Sequence, residues 1–242
     1  MLAWPVSSAP SLDADTLIFG ACTVSLMVVL LLAAFWWRHA GRVGGLGAWC
    51  GGAMALTAGN LLLFFKQDAP AFLAVVGANG LVIVGMHLAP VGMHRFAKRR
   101  AGPLLQASLG LAVLKVAVLV VYVMADVPGP RVRVLVSASA VLVAAAAGLR
   151  GLPRAWWRTL PGVLFGSSGA VVVLVCLVRI AQVLFFPDVG GDVNSPRSTV
   201  FASVYFATLT AQLVSLTLFV PQRLYKREQA LKARLDLLYR EL

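Results

Sequence analysis

The chain has 242 residues, of which 60% are hydrophobic and only 12% charged. A soluble domain carries about 25% charged residues, so this composition excludes one and points to a polytopic membrane protein. The formal charge of +12 would suggest nucleic acid in a soluble chain, but here the cations form short clusters between apolar runs, the pattern of membrane topology.

Seven apolar runs approach or exceed the roughly 20 residues needed to cross a bilayer. They cover 16–37, 46–65, 71–91, 104–124, 132–149, 160–186 and 200–220. The expected fold is therefore all-α, with an external segment over 1–15, a seven-helix membrane domain over 16–220 and a cytoplasmic helix over 221–242. The first run is too long for a signal peptide and no basic segment precedes it, so it is kept as a span. Fifteen of the 21 Lys and Arg follow the odd-numbered spans, and four lie at the opposite ends. The positive-inside rule then places the N-terminus outside and the C-terminus in the cytoplasm. In a bacterial cell this is a multi-pass protein of the inner membrane.

The second span carries Gly47, Gly51, Ala55 and Gly59, four residues apart, which predicts a small-residue packing face. The third contains "GMHLAPVGMH", in which Gly-Met-His occurs twice, seven residues apart. His87 and His94 then share a helix face but stand about 10 Å apart along the axis, too far for one ion. Copper or haem would need further ligands from other helices, and nothing in the spacing of the remaining Met and His supplies them. The plainer reading is a Gly-spaced packing helix, bent at Pro90, that ends in a basic exit. No metal and no cofactor are expected. Cys22, Cys50 and Cys176 all lie in apolar runs without paired spacing, so neither a disulfide frame nor a zinc site is indicated.

The fourth span holds Lys115 and the sixth holds Arg179, yet no Asp or Glu lies in any span. Each such charge costs at least a few kcal/mol unless it is solvated or paired. The fifth span is short and contains "VAAAAG"; the sixth has Gly162, Gly166 and Ala170 at four-residue spacing. On the seventh, Tyr205, Thr208, Gln212 and Ser215 form a polar stripe. By this topology Asn60, Asn79, Lys115, Arg179, Gln182, Tyr205 and Thr208 all fall in the outer half. With Gln212 they suggest a positive cavity open to the outside, for a small anionic or polar ligand. The alternative is that the two cations snorkel outward and the amides bridge helices. The seventh span has no Lys, which excludes a retinal Schiff base there.

After Pro221 the sequence turns charged and amphipathic. Leu224, Leu231, Leu235, Leu238 and Leu242 fit the core positions of a heptad, broken once by Glu228. This predicts a short coiled coil that favours a homodimer and carries output through Leu231, Leu235, Leu238 and Leu242. A surface helix held on anionic lipid by its basic face is the other option.

One stretch, "GLGAWCGGAMALTAGNLLLFFKQDAPAFLAVVGANGLVIVGMHLAPVGMHRFAKRR", resembles the second and third helices of bacterial seven-helix sensor regions that precede GGDEF diguanylate cyclase domains. The matching features are Trp49 followed by glycines, Pro70 before the third span, Ala78-Asn79 within it, and Gly92 ahead of Arg95-Phe96. Arg179 and the charged helix after the seventh span also fit. The resemblance implies a membrane sensor that passes its signal through a connecting helix to a dimeric cyclase. The chain holds no GGDEF segment, so it is not itself expected to be an enzyme. It would be either the sensor part of a longer protein or a partner of a separate cytoplasmic effector. A small transporter or lipid-handling protein is the runner-up, although no duplicated halves are visible. A membrane enzyme or haem protein is third.

Overall fold

The computed structural model describes residues 14–39, 43–65, 70, 72–100, 102–125, 131–185 and 196–241. These residues are helical throughout apart from short connections. The helices are α1 (Ala14–His39), α2 (Leu46–Phe64), α3 (Ala78–Phe96), α4 (Pro103–Met124), α5 (Arg131–Gly151), α6 (Leu160–Phe185) and α7 (Pro196–Glu241). A π-helical turn, Leu73–Gly77, leads into α3, and a 3-10 turn, Arg154–Arg158, leads into α6. Six of the helices, α1 to α6, are long and apolar enough to cross a membrane. In lipid every backbone N–H and C=O must be satisfied within the segment, so an apolar run of this length folds as a helix.

Some boundaries differ from the sequence expectations. The short Ala-rich fifth run is a complete helix of 21 residues. The third helix does not end at residue 91 but continues to Phe96, and its backbone stays helical through Pro90. The seventh run and the charged segment after it form one helix of 46 residues, uninterrupted at Pro221.

Helices α1, α2, α3, α5, α6 and α7 close a ring in which each touches the next and α7 returns to α1. Helix α4 lies outside this ring, against α3 and α5. The most enclosed spans are α2 and α5; α1 and α4 are the most open. Apolar side chains such as Leu30, Met27, Val113 and Val121 point away from the bundle, as lipid-facing residues do.

The ring is tightest between α2 and α3, and glycine sets the distance. A Cβ on Gly85 would stand 2.6 Å from Leu56 Cγ and 2.7 Å from the Gly52 carbonyl. One on Gly59 would stand 2.8 Å from the Ala78 carbonyl. Gly45, at φ +91°, lies against the Gly92 carbonyl in a backbone conformation that favours glycine. The contacts thus pair Gly45 with Gly92, Gly52 with Gly85 and Gly59 with Ala78. Each step is seven residues, forward on α2 and backward on α3, as an antiparallel pair requires. This corrects the expected stripe. Gly47 faces Trp36 of α1 and Gly51 only grazes Leu88, so the close face is Gly45, Gly52 and Gly59. The same applies to α6. Gly162 and Gly166 receive the 3-10 turn, at the Trp156 carbonyl and the Trp157 ring, and Ala170 is exposed. Gly169 makes the helix contact instead, with Leu149 of α5.

Candidate functional site

The residues expected to line an outer pocket occupy several separate surroundings. Asn79 donates from Nδ2 to the Val75 carbonyl at 2.7 Å, so its amide serves the junction between the π turn and α3. Arg179 donates from Nη1 to Gln182 Oε1 at 3.3 Å, three residues along the same helix. Thr208 donates back to the Val204 carbonyl at 2.8 Å, and Ser215 to that of Gln212 at 2.6 Å. Hydroxyls in membrane helices commonly return to the preceding turn in this way. Gln212 lines a small cavity of about 20 Å³ inside the ring, with Leu56, Met86, Pro90 and Phe165 around it. That is room for roughly one water. Asn60 is buried on α2, and its Nδ2 has no hydrogen-bond partner among the described residues. The side chain of Tyr205 and all of Leu242 lie outside the described residues.

Lys115 is the member of this set whose setting is most telling. It does not snorkel to the surface: it is 7% exposed, and its Nζ makes no hydrogen bond among the described residues. Among the described residues His87 Nε2 and Ser108 Oγ, on α3 and α4, are also buried without a hydrogen-bond partner, as are His39 Nδ1 and His94 Nδ1 elsewhere. Ile83 packs with Ala112, and Gly80 meets Val116, so α3 and α4 run antiparallel with the backbone of Ser108 level with that of His87. A helical side chain leans toward its own N-terminus, so Lys115 and His87, whose ring bonds back to Ile83, lean toward one another, while Ser108 stands about 10 Å from Lys115 along α4. Lys115 lies within electrostatic reach of both His87 and Cys176 of α6. His87 Nδ1 is 2.7 Å from the Ile83 carbonyl, which can only accept. Nδ1 therefore carries the proton, and a neutral His87 presents a bare lone pair at Nε2.

A second centre, not anticipated from sequence, sits where α7 leaves the bundle. Phe96 at the end of α3 is its hub. The ring of Phe96 lies 4.8 Å from Trp49 of α2, 5.3 Å from Trp156 of the 3-10 turn and 6.1 Å from Phe219 of α7. Trp156 and Phe219 are themselves 5.2 Å apart. Arg223, one turn beyond Phe219, places its guanidinium 4.5 Å above the Phe96 ring and donates from Nη1 to the Phe96 carbonyl. That carbonyl belongs to the last turn of α3, where the helix dipole favours a cation. Burial pushes the Arg223 guanidinium below its usual pKa, and Arg227 adds to this. Arg99 makes a parallel contact, donating to the Arg150 carbonyl at the end of α5 at 3.1 Å. The basic clusters noted in the sequence thus gather at one end of the bundle, partly as caps on helix C-termini.

Past this clamp α7 continues alone. From Tyr225 to Tyr239 every side chain is exposed, including Leu231, Leu235 and Leu238. Glu228, which interrupts the Leu series, pairs with Lys232 one turn on at 2.8 Å. Leu224, at the root, is half-buried against the core.

The Trp49, Phe96 and Phe219 cluster was not visible in sequence because its members are far apart in the chain. The Arg95-Phe96 pair at a span end was the one local hint. Among the described residues no three His, Cys, Asp or Glu side chains group as metal ligands would. No known protein family, curated protein or solved structure matches the chain.

Proposed function

We propose that the protein is a membrane-embedded signalling module in which α7 carries the state of the bundle to an effector in the cytoplasm. The observation that carries this reading is the single unbroken α7. Its first half packs against α1 and α6, and its second half projects roughly 30 Å beyond Pro221 at 1.5 Å per residue. A rigid helix that is packed at one end and free at the other converts a shift in packing into a displacement of its exposed face. In this reading the basic end is cytoplasmic, and the signal enters from the outer side or from the bilayer, through the set that includes Asn60, Asn79, Arg179, Gln182 and Tyr205. The effector is a dimeric cyclase of the GGDEF type, and Leu231, Leu235, Leu238 and Leu242 pair α7 with its copy.

The test is helical phase. One to four alanines are inserted after Lys226, and cytoplasmic cyclic di-GMP is measured in cells that make the protein. Output that rises and falls with a period near 3.6 residues supports the reading. Output that ignores both the insertions and removal of residues 224–242 overturns it. Dimer contact is read separately. Single cysteines at positions 231, 235 and 238 are expected to cross-link at least several-fold more efficiently than cysteines at 229, 233 and 236. Equal efficiencies would leave α7 a surface helix.

Transport is the second reading, and the unpartnered polar atoms between α3 and α4 favour it. Solute flux in proteoliposomes that persists without residues 224–242 would select it.

A further inference from the structure

We propose that the cavity inside the ring holds one structural water, which hydrogen-bonds the Gln212 amide of α7 and the Met86 carbonyl of α3 and so ties the two helices together. The site belongs to the bundle itself, so it stands whether the protein signals or transports.

Pro90 has no N–H. Helix α3 stays helical through it, so the Met86 carbonyl lacks the donor that a helix normally supplies four residues on. In lipid such a carbonyl must find a donor inside the protein. Met86 and Pro90 both line the cavity of about 20 Å³, which therefore lies along the gap in the α3 ladder. From the far side α7 contributes Gln212. Its side chain is buried and lines the same cavity, and among the described residues nothing bonds its amide; the bond from Ser215 goes to its backbone carbonyl. Gly169, one turn beyond Phe165 on α6, gives that amide room: Gln212 Nε2 lies 3.5 Å from where a Cβ on the glycine would stand. The rest of the lining is apolar, with Leu56, Ala144 and Phe165.

The register agrees. Phe96 follows Pro90 by six residues, and Phe219 follows Gln212 by seven. Phe96 and Phe219 meet at the clamp, so parallel α3 and α7 bring Pro90 and Gln212 to one level about two turns away. Size and chemistry then select the occupant. The volume admits one water and no larger polar molecule. A carbonyl only accepts, whereas an amide both donates and accepts. A water can donate to the first and bond either end of the second. An anion would face the carbonyl oxygen, and a metal cation would find too few oxygens. Two bonds meet the lower end of the roughly two to four that a buried water makes. Helix α7 packs directly on α1 and α6, and the water extends its hold across the ring to α3. Gln212, expected to meet a ligand from outside, thus binds a water that belongs to the fold.

The test uses the full chain in lipid nanodiscs. Thermal midpoints are read by tryptophan fluorescence in the wild type, Gln212→Met, Pro90→Ala and the double variant. Methionine matches glutamine in length but cannot hold the water. Gln212→Met is expected to lower the midpoint by roughly 4 °C, because the Met86 carbonyl is left buried without a donor. With Pro90→Ala, residue 90 supplies that donor, and the same substitution at Gln212 should cost at most about half as much. A midpoint unchanged or raised in Gln212→Met overturns the proposal, since an apolar side chain then suits a dry cavity. An equal fall in both backgrounds also overturns it, since Gln212 then acts by packing alone. Should either variant fail to fold, the wild type labelled with 15N-glutamine carries the test. Nuclear Overhauser transfer from a long-lived water to the Gln212 amide protons supports the bridge, and its absence overturns it. The readouts are stability and water contact, so their failure leaves the cyclic di-GMP test of the signalling reading untouched, and the converse holds.

Discussion

Gly85→Val is expected to lower the thermal midpoint by roughly 10 °C. The new Cβ would stand 2.6 Å from Leu56 Cγ, 2.7 Å from the Gly52 oxygen and 2.9 Å from the Leu56 nitrogen. Two of these are backbone atoms, which no rotamer change can move. Relief requires α2 and α3 to separate along the whole seven-residue register, since Gly45, Gly52 and Gly59 meet α3 in the same plane. Overpacking a core typically costs about 1–3 kcal/mol, and a clash with backbone on both sides belongs at or above the upper end. In lipid no hydrophobic gain offsets it, because helix association there rests on close contact. Gly92→Ala acts through another route. Its methyl would enter the Trp49 indole, displacing a ring that donates to the Ala89 carbonyl at 3.1 Å and packs on Phe96. Two controls define the baseline. Gly51→Ala meets only Leu88 Cδ1 at 3.8 Å, and Gly110→Ala meets nothing within 4 Å. Both should be neutral or slightly stabilising, as alanine is the better helix former. Equal midpoints for Gly85→Val and Gly51→Ala would remove the close-packed interface from this account.

The contrast between Gly51 and Gly52 shows what one sequence can and cannot convey. Lipid demands about 20 apolar residues per crossing, a coarse requirement that composition meets visibly, and six apolar helices stand where apolar runs stood. Facing is a finer matter. Helix α2 is so rich in Gly and Ala that stripes of period four and period seven can both be drawn on it. The choice lies with the partner. Helix α3 repeats Gly-Met-His at seven, and that period, not the four-residue one, selects Gly45, Gly52 and Gly59. The glycines of the repeat are packing residues, and the first of its histidines turns inward toward α4. Pro90 was expected to kink its helix, and the backbone stays helical through it. The helix also continues through Pro221, and beyond it the side chains turn from packed to exposed.

The candidate site divides in the same way. Lys115 is legible because a cation among apolar residues without an acid stands out in any reading. Ser108 and His87 are not, since a serine or histidine in a span has many satisfied resting places. Only the packed structure shows that His87 Nε2 and Ser108 Oγ have no partner among the described residues. Arg179 and Gln182 were rightly placed on one face, but that proximity is spent on a bond between them. Amides and hydroxyls that seemed free to meet a ligand mostly turn back to their own helix, a local option always open to Asn, Ser and Thr.

Arg223→Met is expected to release the exposed half of α7 from the bundle. The contact spans 127 residues of sequence and joins the root of the projecting helix to the end of α3. A hydrogen bond from a charged donor contributes about 1.5–3 kcal/mol, and stacking on Phe96 adds about 0.5–1 kcal/mol. Loss of about 2 kcal/mol raises the population of a detached helix roughly 30-fold. Desolvation of the guanidinium works against the contact, so the net effect lies toward the lower of these figures. The measurement is a distance distribution between spin labels at Ala97 and Ala230, in nanodiscs. The wild type should give one narrow peak and Arg223→Met a broad one. Arg223→Lys tests the mechanism further. It keeps the charge for the α3 C-terminus but loses the flat face that lies over Phe96, so an intermediate width is expected. Phe96→Leu should broaden the peak as well, because it removes the ring that Trp49, Trp156, Phe219 and Arg223 share. If Arg223→Met leaves the distribution narrow, packing of α7 against α1 and α6 alone holds its direction. The clamp would then be a cap on α3 and not the joint through which the bundle steers its projecting helix.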